Sequence, residues 1–227
     1  MTLHTDMRAY YAQRAPSYEA VYARPERQQD LSQIHTRLRT LFAGQQVLEI
    51  ACGTGYWTID LAATAQNVLA TDINPEVIEQ AQQKNLPSDK VRFAIEDAFD
   101  AGAVIEAGQS TACFAGFWWS HVGREQQVAL LDRLQARLAP EALLVLVDNC
   151  YVEGSSTAIA RTDAHGNTYQ IRMLEHGERY EILKNFPTDS TLRKRLGGHL
   201  KEIRIERSAH YWILSGRFKP AGRRAPV

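Results

Sequence analysis

Five short apolar runs, none alternating with polar residues, constrain this chain more than any other feature. They are QVLEI (46–50), NVLATD (67–72), VRFAIED (91–97), ACFAGF (112–117) and ALLVLVD (142–148). A half-exposed strand alternates, whereas a strand covered on both faces reads as an unbroken run. Between the runs lie helical patterns at about 57–64, 75–84 and 125–138. The last carries Val128, Leu131, Leu134 and Leu138 and stops before Pro140. Strand, helix and strand repeated in this way predict an α/β fold with a parallel, doubly wound sheet. Ahead of the first run, Pro25 marks a helix start. Leu31, Ile34, Leu38 and Leu41 then recur at helical spacing, and Gly44 can close that helix in a left-handed cap. After Asp148 the rhythm breaks. A long polar segment leads to YQIRML-EHGE-RYEILK, a predicted hairpin turning at His176 and Gly177. A helix at 189–196 and two adjacent strands, KEIRIER and HYWILSGRF, complete the sheet.

Twenty-six Lys and Arg balance 26 Asp and Glu, so no bulk positive field exists to draw nucleic acid or an anionic membrane. No apolar run has bilayer length, and the N-terminus lacks the charged-then-apolar order of a secretory signal. Cys52, Cys113 and Cys150 are an odd count without CxxC spacing, as expected for reduced structural cysteines in a cytoplasmic protein. His165 and His176 sit in polar loops without the paired spacing that a metal needs, so no metal site is expected. The expected partner is a small molecule.

The first run leads into Glu49-Ile50-Ala51-Cys52-Gly53-Thr54-Gly55. Ligands of nucleotide size sit outside the carboxyl ends of parallel strands, where small residues allow close approach. Asp72 closes the second run, and its carboxylate can accept hydrogen bonds from both hydroxyls of a ribose. Asp97 closes the third, where an acid can accept from an adenine amino group. A Gly-x-Gly alone is plain turn chemistry, and an acid ending a strand is an ordinary helix cap. Three such features at three successive strand ends point to a nucleotide. The dinucleotide fingerprint fails, because its third glycine falls on Thr58, and no Gly-Lys-Ser/Thr phosphate loop is present.

VLEIACGTGYWT resembles the first motif of class I S-adenosylmethionine-dependent methyltransferases, with Ala51 in place of the usual first glycine. TDINPEVIEQA resembles the second motif, IEDAF the third, and FAGFWWSHV the segment closing the fourth strand. YYAQRAPSYE is similar to the cap of many small-molecule members. The resemblance implies a Rossmann-like doubly wound seven-stranded sheet with an antiparallel last strand. It also implies an N-terminal helical cap (1–44), a cofactor-binding core (45–148), and a β-hairpin lid (149–187) inserted after strand 5. A C-terminal sheet completion (188–218) and a flexible tail (219–227) would follow. S-adenosylmethionine is the implied cofactor. Gly53 and Gly55 would line its methionine moiety, Asp72 would hold the ribose, and Asp97 and Ala98 would contact adenine. Glu49, Ala51, Cys52, Thr54, Trp57, Ile73, Phe99 and Phe117 complete the implied cofactor set. Tyr11 and Arg14 could reach the cofactor carboxylate.

Methyl transfer is an in-line displacement in which the protein aligns the nucleophile and excludes water. His121 is the candidate general base, needed only for an acceptor that arrives protonated. Its alternative is a packed or capping histidine. Trp118 and Trp119 adjoin it and offer aromatic faces to a sulfonium or cationic substrate, with core packing the alternative for at least one. Tyr18 joins them as a substrate contact. Arg172 and Lys184, on the two hairpin arms, could converge above the cleft; the alternative is solvated surface charge. That hairpin resembles the corresponding arm in the dehydrophos phosphonate O-methyltransferase branch of the family, where a basic pair of this spacing anchors an acidic group. The tyrosine that assists there falls near Arg24 or Pro25 in this chain, so the pocket differs. The leading expectation is O-methylation of a small acidic metabolite bearing a phosphonate, phosphate or carboxylate. The alternatives are N-methylation of an amine within an aromatic enclosure, and a regulatory module that binds S-adenosylmethionine without catalysis. Base amino groups are disfavoured as acceptors, because the fourth strand lacks an Asn/Asp-Pro-Pro-aromatic motif.

Overall fold

The structure, a computed structural model, describes residues 3–100 and 108–220. In chain order it opens with β1 (Leu3–His4), α1 (Met7–Arg14), a 3-10 run (Ala15–Ala23) and α2 (Gln28–Leu41). The core alternates β2 (Gln46–Ile50), α3 (Thr58–Thr64), β3 (Asn67–Asp72), α4 (Pro75–Gln82), β4 (Val91–Ile95), β5 (Ala112–Gly116), α5 (Gln127–Arg137) and β6 (Leu143–Asn149). Then come β7 (Ile159–Thr162), β8 (Thr168–Met173), β9 (Arg179–Leu183), α6 (Asp189–Leu196), β10 (Leu200–Arg207) and β11 (Tyr211–Phe218).

Seven strands form the central sheet in the order β10-β11-β6-β5-β2-β3-β4. β2 to β6 run parallel, and β11 lies antiparallel between β6 and β10. Successive side chains of one strand feed opposite cores. Val47 joins Leu31, Ile34 and Leu38 of α2 and Leu61 of α3 on one face. Leu48 joins Leu130, Leu131 and Leu134 of α5 and Leu192 and Leu196 of α6 on the other. Both faces are therefore covered, which is why the runs do not alternate. β4 departs from that expectation. It is the sheet edge, and Ile95 is 57% exposed. Gly44 closes α2 at φ +70, as the sequence predicts.

The expected hairpin lid is half of a larger device. A second, four-stranded sheet has the order β1-β9-β8-β7, so the helical cap is preceded by a short strand. β1 pairs parallel to β9 through Leu3↔Arg179 and His4↔Tyr180. α1 then packs on that sheet, with Tyr10 buried against Leu174, Tyr180 and Ile182. Cap and hairpin are thus one layer over the carboxyl edge of the core. Lys219, read as the start of a loose tail, is anchored: its N–H donates to His199 O (2.7 Å) and its carbonyl accepts from Gln135 (2.7 Å). Residues 221–227 of that predicted tail lie outside the described residues.

Candidate active site

The loop after β2 turns sharply because three of its residues take left-handed backbone, Ala51 (φ +52), Gly53 (φ +55) and Gly55 (φ +76). Cys52 N–H bonds Thr71 O of β3 at 2.9 Å, which pins the loop to the neighbouring strand. The two glycines have different duties. A Cβ on Gly55 would lie 3.0 Å from the Ala81 Cβ, so this glycine lets α4 approach. A Cβ on Gly53 would meet nothing within 4 Å, so its bare face borders open space. Asp72 accepts from Gly53 N–H and Asn74 N–H, both at 2.9 Å, and is 9% exposed. Each carboxylate oxygen keeps a further lone pair for a ligand hydroxyl. Burial pushes its carboxyl above the usual range, and the backbone donors oppose that. Asp97 accepts from Phe99 N–H (2.8 Å), and the Phe99 ring lies 5.9 Å from that of Trp118, beside Ala98. The open face at Gly53 and the paired acceptors of Asp72 fit an adenosyl group with a ribose diol.

Several expected contacts lie beneath this surface rather than on it. Glu49 is 1% exposed and accepts from Thr58 Oγ at 2.7 Å. Burial raises its carboxyl to about 8. Thr58 thereby packs α3 on β2 at the position where a dinucleotide fold would need glycine. Trp57 is also buried, donating to the Tyr22 hydroxyl at 3.2 Å and stacking on Phe117 (5.8 Å, 22°). Thr54, 3% exposed, donates to Glu19 of the cap at 2.6 Å, and Glu19 also pairs with Lys84 at 2.8 Å. Ala51, Cys52 and Ile73 stand in the loops beside β2 and β3. Glu19 was not singled out in the sequence, where no spacing marks it.

Beside the loop a cavity of about 560 Å³ opens between the cap, the second sheet and the ends of β5, β6 and β11. Tyr11, Arg14, Tyr18, Phe117, His121, Arg172 and Lys184 all line it, as the sequence reading requires of a shared cleft. Phe117 ends β5 in left-handed backbone (φ +59), a costly conformation for a bulky residue and one that clusters at functional sites. That turn sends the next two residues elsewhere, which corrects the expected substrate contacts of Trp118 and Trp119. Trp118 packs on Phe99, and Trp119, 3% exposed, enters the core beside Leu130 and Leu134. Neither lines the cavity.

His121 returns to the cavity through a 3-10 turn (Trp119–His121). Its Nδ1 faces Leu183 O at 2.5 Å, and a carbonyl only accepts, so Nδ1 carries the proton. Nε2 is then an acceptor, met by the Tyr11 hydroxyl at 2.9 Å. Burial, then the positive charges of Lys184 and Arg172, hold the imidazole well below its usual pKa and therefore neutral. Tyr11 also receives Arg172 Nη1 at 3.4 Å, while Arg172 Nε and Nη2 hold Gln170 Oε1 at 3.3 and 2.8 Å. Arg14 lies over the Tyr18 ring at 5.4 Å. Lys184 is 3% exposed and pairs at 2.7 Å with Asp148, which is fully buried and also accepts from Ser120 N–H. Neither hairpin cation is a solvated surface charge. Lys184, however, is already neutralised by Asp148, whereas Arg172 has no carboxylate partner among the described residues.

Fold and loop together match those of class I S-adenosylmethionine-dependent methyltransferases. Residues 47–141 match the methyltransferase domain family model. Among solved structures, the DhpI–SAH complex is similar at 26% identity, covering 94% of this chain and 96% of that one with a TM-score of 0.77. The DhpI–SAM–HEP complex is similar at 26% identity, 92% and 94% coverage and a TM-score of 0.72. The PH0226 protein from Pyrococcus horikoshii OT3 shares the fold at 14% identity (86% and 92% coverage, TM-score 0.69). The magnesium-protoporphyrin O-methyltransferase of Rhodobacter capsulatus is 36% identical over 67 residues, 29% of this chain and 30% of that relative's length. Among the described residues, no helix is long and apolar enough to cross a membrane.

Proposed function

We propose that this chain transfers a methyl group to an oxygen of a small acidic acceptor carrying a phosphonate, phosphate or carboxylate. The observation that carries the reading is the charge of the cavity wall. Arg14, Arg24, Arg27 and Arg172 line it, beside a Lys184 already paired with Asp148, against one carboxylate, Glu175, although the chain as a whole is neutral. Such a wall favours an anion and opposes an amine. The amine alternative has also lost Trp118 and Trp119 from its enclosure.

When bound, S-adenosylmethionine supplies an electrophilic methyl on a sulfonium leaving group. Gly53 gives it room, Asp72 accepts from its ribose, and Asp97, Ala98 and Phe99 flank its adenine. Tyr11, Arg14 and Phe117 border it on the cavity side. Arg172, steered by Gln170, holds the acceptor oxyanion in line, and Tyr18 closes the space above. The cap and second sheet exclude water, which strengthens each of these contacts. An ionised oxygen needs no proton removed. His121, neutral and with Nε2 as acceptor, takes a proton only from a hydroxyl acceptor and then only once Tyr11 turns aside. The test is S-adenosylhomocysteine release with a panel of alkylphosphonates, phosphate monoesters, carboxylates and amines, repeated on Arg172→Met. The expected result is turnover of acids, with KM raised about tenfold or more in the variant. Turnover of amines alone, or an unchanged KM for the accepted acid, would overturn the reading.

A further inference from the structure

The cavity, at about 560 Å³, is larger than one oxyanion beside Arg172 needs. From Arg172 the wall continues as a series of rings. Tyr11 meets Tyr18 (6.2 Å), Tyr18 meets Tyr22 (6.1 Å), Tyr22 meets Phe117 (5.8 Å), and Phe117 meets Tyr211 (5.4 Å). Over Tyr211, at 5.9 Å, stands a second guanidinium, that of Arg27. It ends the 3-10 turn Pro25–Arg27 that leads into α2, and its Nη2 donates to Ser155 Oγ at 3.1 Å. Its Nε is buried with no hydrogen-bond partner among the described residues. A buried donor left unmade is costly, and a charged one more so. Among the described residues, no carboxylate pairs with Arg27. Nearby Asp30 is committed to His210, accepting from its backbone N–H (2.9 Å) and facing its Nδ1 (3.0 Å). Arg24 lines the same cavity and adds donors.

We propose that Arg27 forms a second anion subsite, so that the acceptor is an elongated acid with an acidic group at each end. This rests on the acidic-acceptor reading above. The group near Arg172 receives the methyl. The distal carboxylate or phosphate-type group occupies the donors of Arg27, and the ring wall between them takes an apolar spacer.

The test uses the full chain with S-adenosylhomocysteine bound. Calorimetry compares alkylphosphonates with ω-carboxyalkylphosphonates over a matched series of chain lengths. At one length the diacid is expected to bind roughly tenfold tighter than its monoacid partner. In Arg27→Met that ratio is expected to fall to near one, and in Arg27→Lys to be kept in part. S-adenosylhomocysteine affinity of each variant reports that it has folded. No diacid advantage at any length, or an advantage that survives Arg27→Met, overturns the subsite and leaves the acidic-acceptor reading standing. Binding of neither series, with S-adenosylhomocysteine still bound, overturns both.

Discussion

At the scale of single residues, Glu49 shows how a motif position can matter without touching a ligand. It lies in β2 inside the core, 1% exposed, with Thr58 as its donor. Burial lifts its carboxyl from 4.5 to about 8, so the folded state prefers it protonated. Its contribution to stability is therefore complete below 4.5 and is lost as pH rises toward 8. Glu49→Gln should match the native chain in acid and exceed it in base, the difference growing by on the order of 1 kcal/mol per pH unit across that window. Urea unfolding at a series of pH values measures it, and parallel curves would refute it. The placement of Gly53, Gly55 and Asp72 at strand ends was legible in the sequence because each closes or follows an apolar run. The burial of Glu49 and Trp57 was not, since a motif gives position along the chain and not depth. Trp118 and Trp119 were misjudged for a related reason. The left-handed backbone of Phe117, which nothing in its side chain announces, decides where they go.

Among elements, the second sheet couples cap, hairpin and core. β8 and β9 were readable because Tyr-x-Ile and its partner alternate about a His-Gly turn. β1 has two residues and β7 is exposed throughout, so neither carries a periodicity to read. The sheet is tied to the core where β9 ends. Asn185 N–H donates to Ser120 O at 2.8 Å, and Lys184 pairs with Asp148 of β6 across 36 residues. Both partners are buried, so removing one strands a charge. Lys184→Met should lower the unfolding free energy by about 3–5 kcal/mol. Adding Asp148→Asn should restore part of that loss. Chemical denaturation decides it: a drop below ~1 kcal/mol, or no recovery in the double variant, would mean that the pair is not the tie it appears in its geometry. Arg172, which lacks such a counter-charge, is expected to show its effect in KM instead.

For the whole molecule, 26 cations balance 26 anions, yet four arginines and one carboxylate face the cavity beside the paired Lys184. Net charge foretold the absence of a bulk field and hid this local one, because which charges face inward is settled only when cap, second sheet and core meet. The parallel order of β2 to β6 was legible from the runs themselves. It sets the carboxyl edge where Gly53 presents open space and Asp72 presents acceptors, and everything proposed for the acceptor presumes a cofactor at that edge. Titration calorimetry of the native chain and of Asp72→Asn with S-adenosylhomocysteine tests this most directly. One site per chain is expected, with affinity in the variant weaker by about tenfold or more. No heat with the native chain at millimolar nucleoside, or equal affinity in the two proteins, would contradict it.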